Sequence, residues 1–211
     1  MTAIEPISAF QTHLYTAKRP DFLPALQEVG GKYLMLRKQQ QTENHIYPVC
    51  QTDNFFNEEE VALFGAFILD TCAAILDDQG YKMHGFNLNF TDMWVQEHRT
   101  GSGHDRHVHS GNVISGFYFI QAPKNSCRAI FYDPRPAKEF GYAFPEKDIS
   151  ALTDASNLMN IEPQDGMFVF SNSWLHHSFT RNESEDPFVL VHFDVHATVA
   201  PKIEKKRAII V

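Results

Sequence analysis

Histidine is the residue type that most invites chemistry in this sequence. Eleven occur in 211 residues, and seven of them (104, 107, 109, 176, 177, 192 and 196) lie from residue 104 onward. The first cluster is HDRHVHSGN, residues 104–112, where His107 and His109 are two apart. In an extended segment residues at that spacing point the same way, so both rings can reach one point. The second cluster is SNSWLHHSF, residues 171–179, with the His176-His177 pair. Neutral imidazole is the commonest protein metal ligand. Two rings near one strand end and one on a distant strand would make a facial metal site with open positions. Other patterns are excluded. The metallo-hydrolase string H-x-H-x-D-H occurs only in reverse, and backbone direction fixes where each ring points. No C-x₂₋₄-C pair suggests a zinc finger. There is no G-x-S-x-G elbow, Walker loop or G-x-G-x-x-G. His192 and His196 read as hydrogen-bonded or surface rings of the last strand.

Positioning such rings is a task for the surrounding elements. After residue 82 short apolar runs alternate with turn-rich segments: 85–95, 113–120, 127–132, 166–170, 177–180 and 188–195. Aromatic and β-branched residues fill them, as strands prefer. Several short strands without intervening helices predict an antiparallel sandwich or barrel. The first part is helical. DFLPALQEVGG (21–31) predicts a short helix stopped by Gly30-Gly31. RKQQQTENH (37–45) reads as a turn or exposed loop. A helix over 58–78 would be capped by Asn57, with Glu60 completing a capping box and Gly80 as the stop. Val61, Phe64, Ile68, Cys72, Ile75 and Leu76 share one face of it. Residues 134–165 are long enough to be a functional insertion or cover. Its aromatics Phe140, Tyr142 and Phe144 read as core, with substrate contact as the alternative. The expected organisation is a single domain, 1–211. It divides into a helical support (1–82), a β-rich core (83–198) and a tail (199–211).

Composition adds limits. The charge is 18 Lys+Arg against 26 Asp+Glu, or −8, which argues against a broad grip on nucleic-acid backbone. Three cysteines (50, 72 and 127) do not form a disulfide framework, so a reducing, cytoplasmic setting is expected. The start, MTAIEPISAF, lacks a signal-peptide pattern, and no run approaches the ~20 apolar residues of a membrane span.

These residues resemble the iron(II)- and 2-oxoglutarate-dependent oxygenases, in particular a subgroup in which H-x-H replaces the usual H-x-D. The resemblance rests on Trp94, HVHSGNVISGFYF (107–119), FYDPRP (131–136) and DGMFVFSNSWLHH (165–177). The closing FVLVHFDVH (188–196) is similar to that of prolyl and aspartyl hydroxylases. The match covers about residues 85–196. It implies a mostly β (α+β) chain with a double-stranded β-helix, a cupin-like jelly roll, braced by flanking helices. It implies iron(II) on His107 and His177, with His109 in the carboxylate position as a third imidazole. Such a site is more cationic than usual; Asp105 or Asp133 would be alternative carboxylates. It further implies 2-oxoglutarate and O₂ as co-substrates, and hydroxylation of a small molecule or protein side chain, with no membrane partner.

Two departures matter. His109 stands where a carboxylate is usual. The closing strand also lacks the Arg that usually holds the far carboxylate of 2-oxoglutarate. Val189, Val191, Phe193 and Val195 fall on one face of it, and Phe188, Leu190, His192 and Asp194 on the other. Arg128 is the expected substitute, with Tyr118 as a hydrogen-bond donor; Arg181 is a further candidate. Two other readings stay open: a cupin-like metalloenzyme that uses no 2-oxoglutarate, and a non-catalytic jelly-roll binding protein.

Overall fold

The alternation of β10 (Phe188–Val199) explains how this chain layers itself. Phe188, Leu190, His192 and Asp194 face one side, and Val189, Val191, Phe193 and Val195 the other; all eight are buried. A strand buried on both faces must be central and covered twice. In this computed structural model, which describes residues 4–40, 49–139 and 144–201, β10 is indeed central. It pairs antiparallel with β3 (Phe86–His98) and β5 (Ile114–Gln121). With β1 (Tyr15–Lys18), β2 (Val49–Gln51) and β8 (Met167–Asn172) they form a six-stranded sheet, in the order β1-β8-β5-β10-β3-β2. A second sheet runs β4-β9-β6-β7, from β4 (His104–His107), β6 (Ala129–Tyr132), β7 (Leu158–Ile161) and β9 (His177–Phe179). All the pairings are antiparallel. The fold is the expected jelly roll, a double-stranded β-helix.

Two apolar layers result. Between the sheets lie Phe117, Phe119, Phe131, Phe179, Phe188 and Leu190. Behind the large sheet, Tyr118, Phe168, Phe170, Val191 and Phe193 pack with the helices. Gly116 serves this second layer. A Cβ there would sit 2.3 Å from Phe193 Cζ and 2.6 Å from the Val169 carbonyl oxygen, so only glycine lets that ring lie across β5.

The helices α1 (Leu23–Gln40) and α2 (Ala62–Asp78) form the brace. Two expectations fail here. Gly30-Gly31 does not stop α1, which continues to Gln40 and takes in residues 37–40 of the expected loop; residues 41–48 lie outside the description. Gly30 is instead a contact point, because a Cβ would lie 3.0 Å from Val95 Cγ2. The capping box at Asn57 and Glu60 does not form. A 3-10 turn (Glu59–Val61) leads into α2 with no side-chain cap. Glu58, at the cap position, accepts a hydrogen bond from Tyr33 Oη at 2.5 Å instead. Gly80 ends α2 as expected, and Phe64, Ile68, Cys72, Ile75 and Leu76 are its buried face.

Four strands escaped the sequence pattern: β1, β2, β4 and β7. Each has three or four residues, too few to establish alternation. The segment 134–165 therefore contributes β7 and a short helix, α3 (Pro136–Glu139), to the frame. Phe144 is exposed rather than core; Phe140 and Tyr142 lie outside the described residues.

Candidate metal centre

His107 ends β4 and is the register partner of His177, the first residue of β9. The ladder between them is irregular: His104 pairs with Phe179, so β4 carries one residue more than β9 over the same stretch. That extra residue sets His107 against His177. His109 lies just past β4, its backbone N–H donating to the Ser173 carbonyl at 3.0 Å. The three rings close into one group. Centroids are 4.4 Å apart for His107–His177, 5.0 Å for His107–His109 and 5.2 Å for His109–His177.

Hydrogen bonds fix which nitrogen each ring presents. The His107 Nδ1–H donates to the Asp105 carbonyl at 2.7 Å, and the His177 Nδ1–H to the Leu175 carbonyl at 3.1 Å. His109 Nδ1 lies 2.9 Å from Asp194 Oδ2. Carbonyl and carboxylate oxygens only accept, so each Nδ1 carries the hydrogen and each Nε2 offers a lone pair. Nε2 of His109 and of His177 is buried without a partner. One ligand atom from each of the three lies within 4.8 Å of the others. A buried polar atom without a partner is costly and calls for an explanation. A divalent transition metal supplies one, since imidazole suits such ions. Burial holds the His177 ring neutral, its pKa pushed down to about 3, and it lowers that of His107 as well. Neutral rings are the ligating form.

The surroundings are aromatic on one side and polar on the other. Trp94 stacks on His192 at 4.3 Å, and His192 stacks on His109 at 4.3 Å. Phe117 meets His177 edge-on at 5.2 Å. A polar pocket of about 450 Å³ opens beside His109, with Trp94, Asn54, Asp92, Asn112 and Asp194 in its walls. A larger groove of about 700 Å³ lies along α1, with Leu34, Ile120 and Val189. None of the three histidines lines it.

The structure does not bring the other expected site residues to this group. Tyr118 alternates with Phe117 and Phe119, so it faces the helices; its hydroxyl donates to the Arg19 carbonyl at 2.8 Å. Arg128 precedes β6, where the neighbouring Ala129 is buried and alternation turns Arg128 outward. It binds Asn160 at 3.0 Å and Glu162 at 3.1 Å on an exposed face. Arg181 is exposed as well. Asp133 is held by Arg135 and Lys138, and its hydrogen bond with Arg135 keeps its carboxyl well below the usual range. Asp105 is exposed and meets the group through its backbone carbonyl, on His107.

Sequence reasoning missed two residues. Asp194 is a buried carboxylate on His109. His192, expected to be hydrogen-bonded or superficial, is buried with neither ring nitrogen bonded. The alternation of the closing strand already put both on one face. Which face turned inward was not in the pattern.

Known proteins share both the sequence pattern and the fold. Residues 92–194 match the family described as "Putative 2OG-Fe(II) oxygenase". No curated protein sequence matches the chain. Among solved structures, the non-heme α-ketoglutarate-dependent epimerase SnoN from nogalamycin biosynthesis superposes with a TM-score of 0.60 at 11% identity, over 90% of this chain and 82% of its own. The viral collagen prolyl hydroxylase of Paramecium bursaria Chlorella virus-1 gives 0.55 at 13%, over 88% and 96%. HygX from Streptomyces hygroscopicus, solved with nickel and 2-oxoglutarate, gives 0.56 at 12%, over 88% and 83%. At these identities the structural likeness is one of fold.

Proposed function

Because residues 92–194 match the 2OG-Fe(II) oxygenase family, we propose that His107, His109 and His177 hold iron(II), and that the substrate binds in the polar pocket beside His109. The observation that carries this reading is the convergence of three imidazoles whose Nδ1–H groups are all engaged, leaving three Nε2 atoms for one ion. When bound, iron(II) with 2-oxoglutarate and O₂ supplies oxidation of a substrate C–H bond.

The chain's own groups orient and enclose. The carbonyls of Asp105 and Leu175 fix two ring tautomers, and Asp194 fixes the third. Phe117 and Phe131 keep water from the His177 side. Asn54, Asn112 and Asp92 offer hydrogen bonds to a polar small molecule or a protein side chain. The three cysteines, buried and free, agree with a reducing, cytoplasmic setting. No helix among the described residues is long and apolar enough to cross a membrane.

The test is succinate release from 2-oxoglutarate with iron(II) and candidate substrates. Full turnover by His177→Ala would overturn the ligand assignment. One observation favours a second reading, a metal-dependent oxygenase reaction without 2-oxoglutarate. Among the described residues no Lys or Arg is buried, and apart from the three proposed ligands the unpartnered buried polar atoms beside the centre belong to the uncharged side chains of Trp94, Gln96, His98 and His192. Calorimetric titration of the metal-loaded protein with 2-oxoglutarate separates the two readings; an absence of binding supports the second.

A further inference from the structure

We infer that Asp194 is the carboxylate of this metal centre, acting through His109 rather than on the ion. The inference rests on the three-histidine reading above and goes beyond it, by naming a residue that the ligand set does not contain. Asp194 is 2% exposed. Oδ2 lies 2.9 Å from His109 Nδ1, and Oδ1 accepts from the Ser115 hydroxyl in a very short hydrogen bond. Ser115 is the register partner of Asp194 on β5, so the central strands of the large sheet aim this carboxylate.

A buried carboxylate needs a compensating positive charge or a full set of donors. Among the described residues Asp194 has no Lys or Arg partner. The group that faces it is an imidazole whose other nitrogen is unpartnered. A divalent ion on His109 Nε2 would supply the missing charge, one ring away.

The same arrangement answers the excess charge of a three-imidazole site. A carboxylate accepting the Nδ1–H of a ligating histidine makes that ligand more basic and locks its orientation, and losing such a partner typically costs roughly 10–100-fold in metal affinity. Stacking of His109 on His192, itself stacked on Trp94, holds the ring plane in which Asp194 finds it. Asp194 is thus a positioning residue that returns the negative charge which His109 removed from the ligand set. The set His109, His192 and Asp194 could also hold an ion directly, and the experiment distinguishes that arrangement.

The probe is cobalt(II), titrated into the full-length protein while its visible absorption is followed. Asp194→Asn is expected to weaken binding roughly 10–100-fold and to shift the spectrum. His109→Asp places a carboxylate on the ion itself. In that background Asp194→Asn is expected to change the affinity less than about threefold, because no imidazole remains for it to act on. Ser115→Ala, a milder change, should weaken binding in the native background and not in His109→Asp. It keeps the inference testable if Asp194→Asn does not fold. Native-like affinity in Asp194→Asn overturns the inference. So does an equal loss in both backgrounds, the result expected if Asp194 ligates directly. Failure of the native protein to bind cobalt(II) overturns the three-histidine reading, and with it this one.

Discussion

At the scale of single residues, spacing made the histidines candidates, but the partner of each Nδ1 makes them usable. His177 is the most buried of the three, so its loss leaves a dry gap that water fills poorly. His177→Ala is therefore expected to weaken iron(II) binding by more than about 100-fold, beyond the usual effect of losing an outer hydrogen-bond partner; an anaerobic titration measures it. Gly116 is a second residue whose identity is fixed by its surroundings. Gly116→Ala drives a methyl group into Phe193 and the Val169 carbonyl. It should destabilise the fold by about 3 kcal/mol, the upper part of the usual range for overpacking, read as a lower urea midpoint. The S-G-F-Y-F string is legible as a motif, but its glycine is explained only by a ring from β10.

At the scale of elements, the two faces of the large sheet do separate work. One face packs α1 and α2, and the other carries the histidine group proposed to hold the metal. Ile68, with no exposure, lies on the helix side. Ile68→Ala should cost about 3 kcal/mol, typical of truncating a buried aliphatic residue. The folded protein should keep its metal affinity within about threefold, since the site lies across the sheet. Denaturation and metal titration on one sample check both. The helix α2 was readable because six apolar positions repeat at helical spacing. Its start was not, because Glu58 binds Tyr33, a residue from the other helix, and no local signal announces that bond. Likewise β4 has four residues, and only pairing with β9 makes it a strand.

At the scale of the whole molecule, the buried histidines tie stability to pH. Burial pushes the pKa of His98 and of His177 down to about 3, against about 6.5 for an unperturbed ring. Between those values the unfolded chain binds more protons than the folded one. The stability due to the neutral rings is therefore complete above about pH 6.5 and is lost as pH falls toward 3. Metal-free protein should show a falling denaturant midpoint from pH 7 to 4, and no change from these groups between pH 7 and 8. A ligand bound only by the folded state adds about 2.7 kcal/mol at a free concentration of 100 times its Kd. Iron(II) at that excess should raise the midpoint at pH 7 and lose this effect as its ligands protonate.

The sequence by itself determined the antiparallel β half, the apolar face of α2 and the H-x-H and distal histidines, because each is written in periodicity or in spacing along one strand. Only the tertiary structure decided the rest. Tyr118 and Arg128 passed as candidates because a strand pattern does not say which face turns inward; packing turned Tyr118 toward the helices and Arg128 toward solvent. Asp194 lies 85 positions from His109 in sequence and 2.9 Å away in space. No local signal links them; the register of β10 with β5 and the closing of the small sheet do.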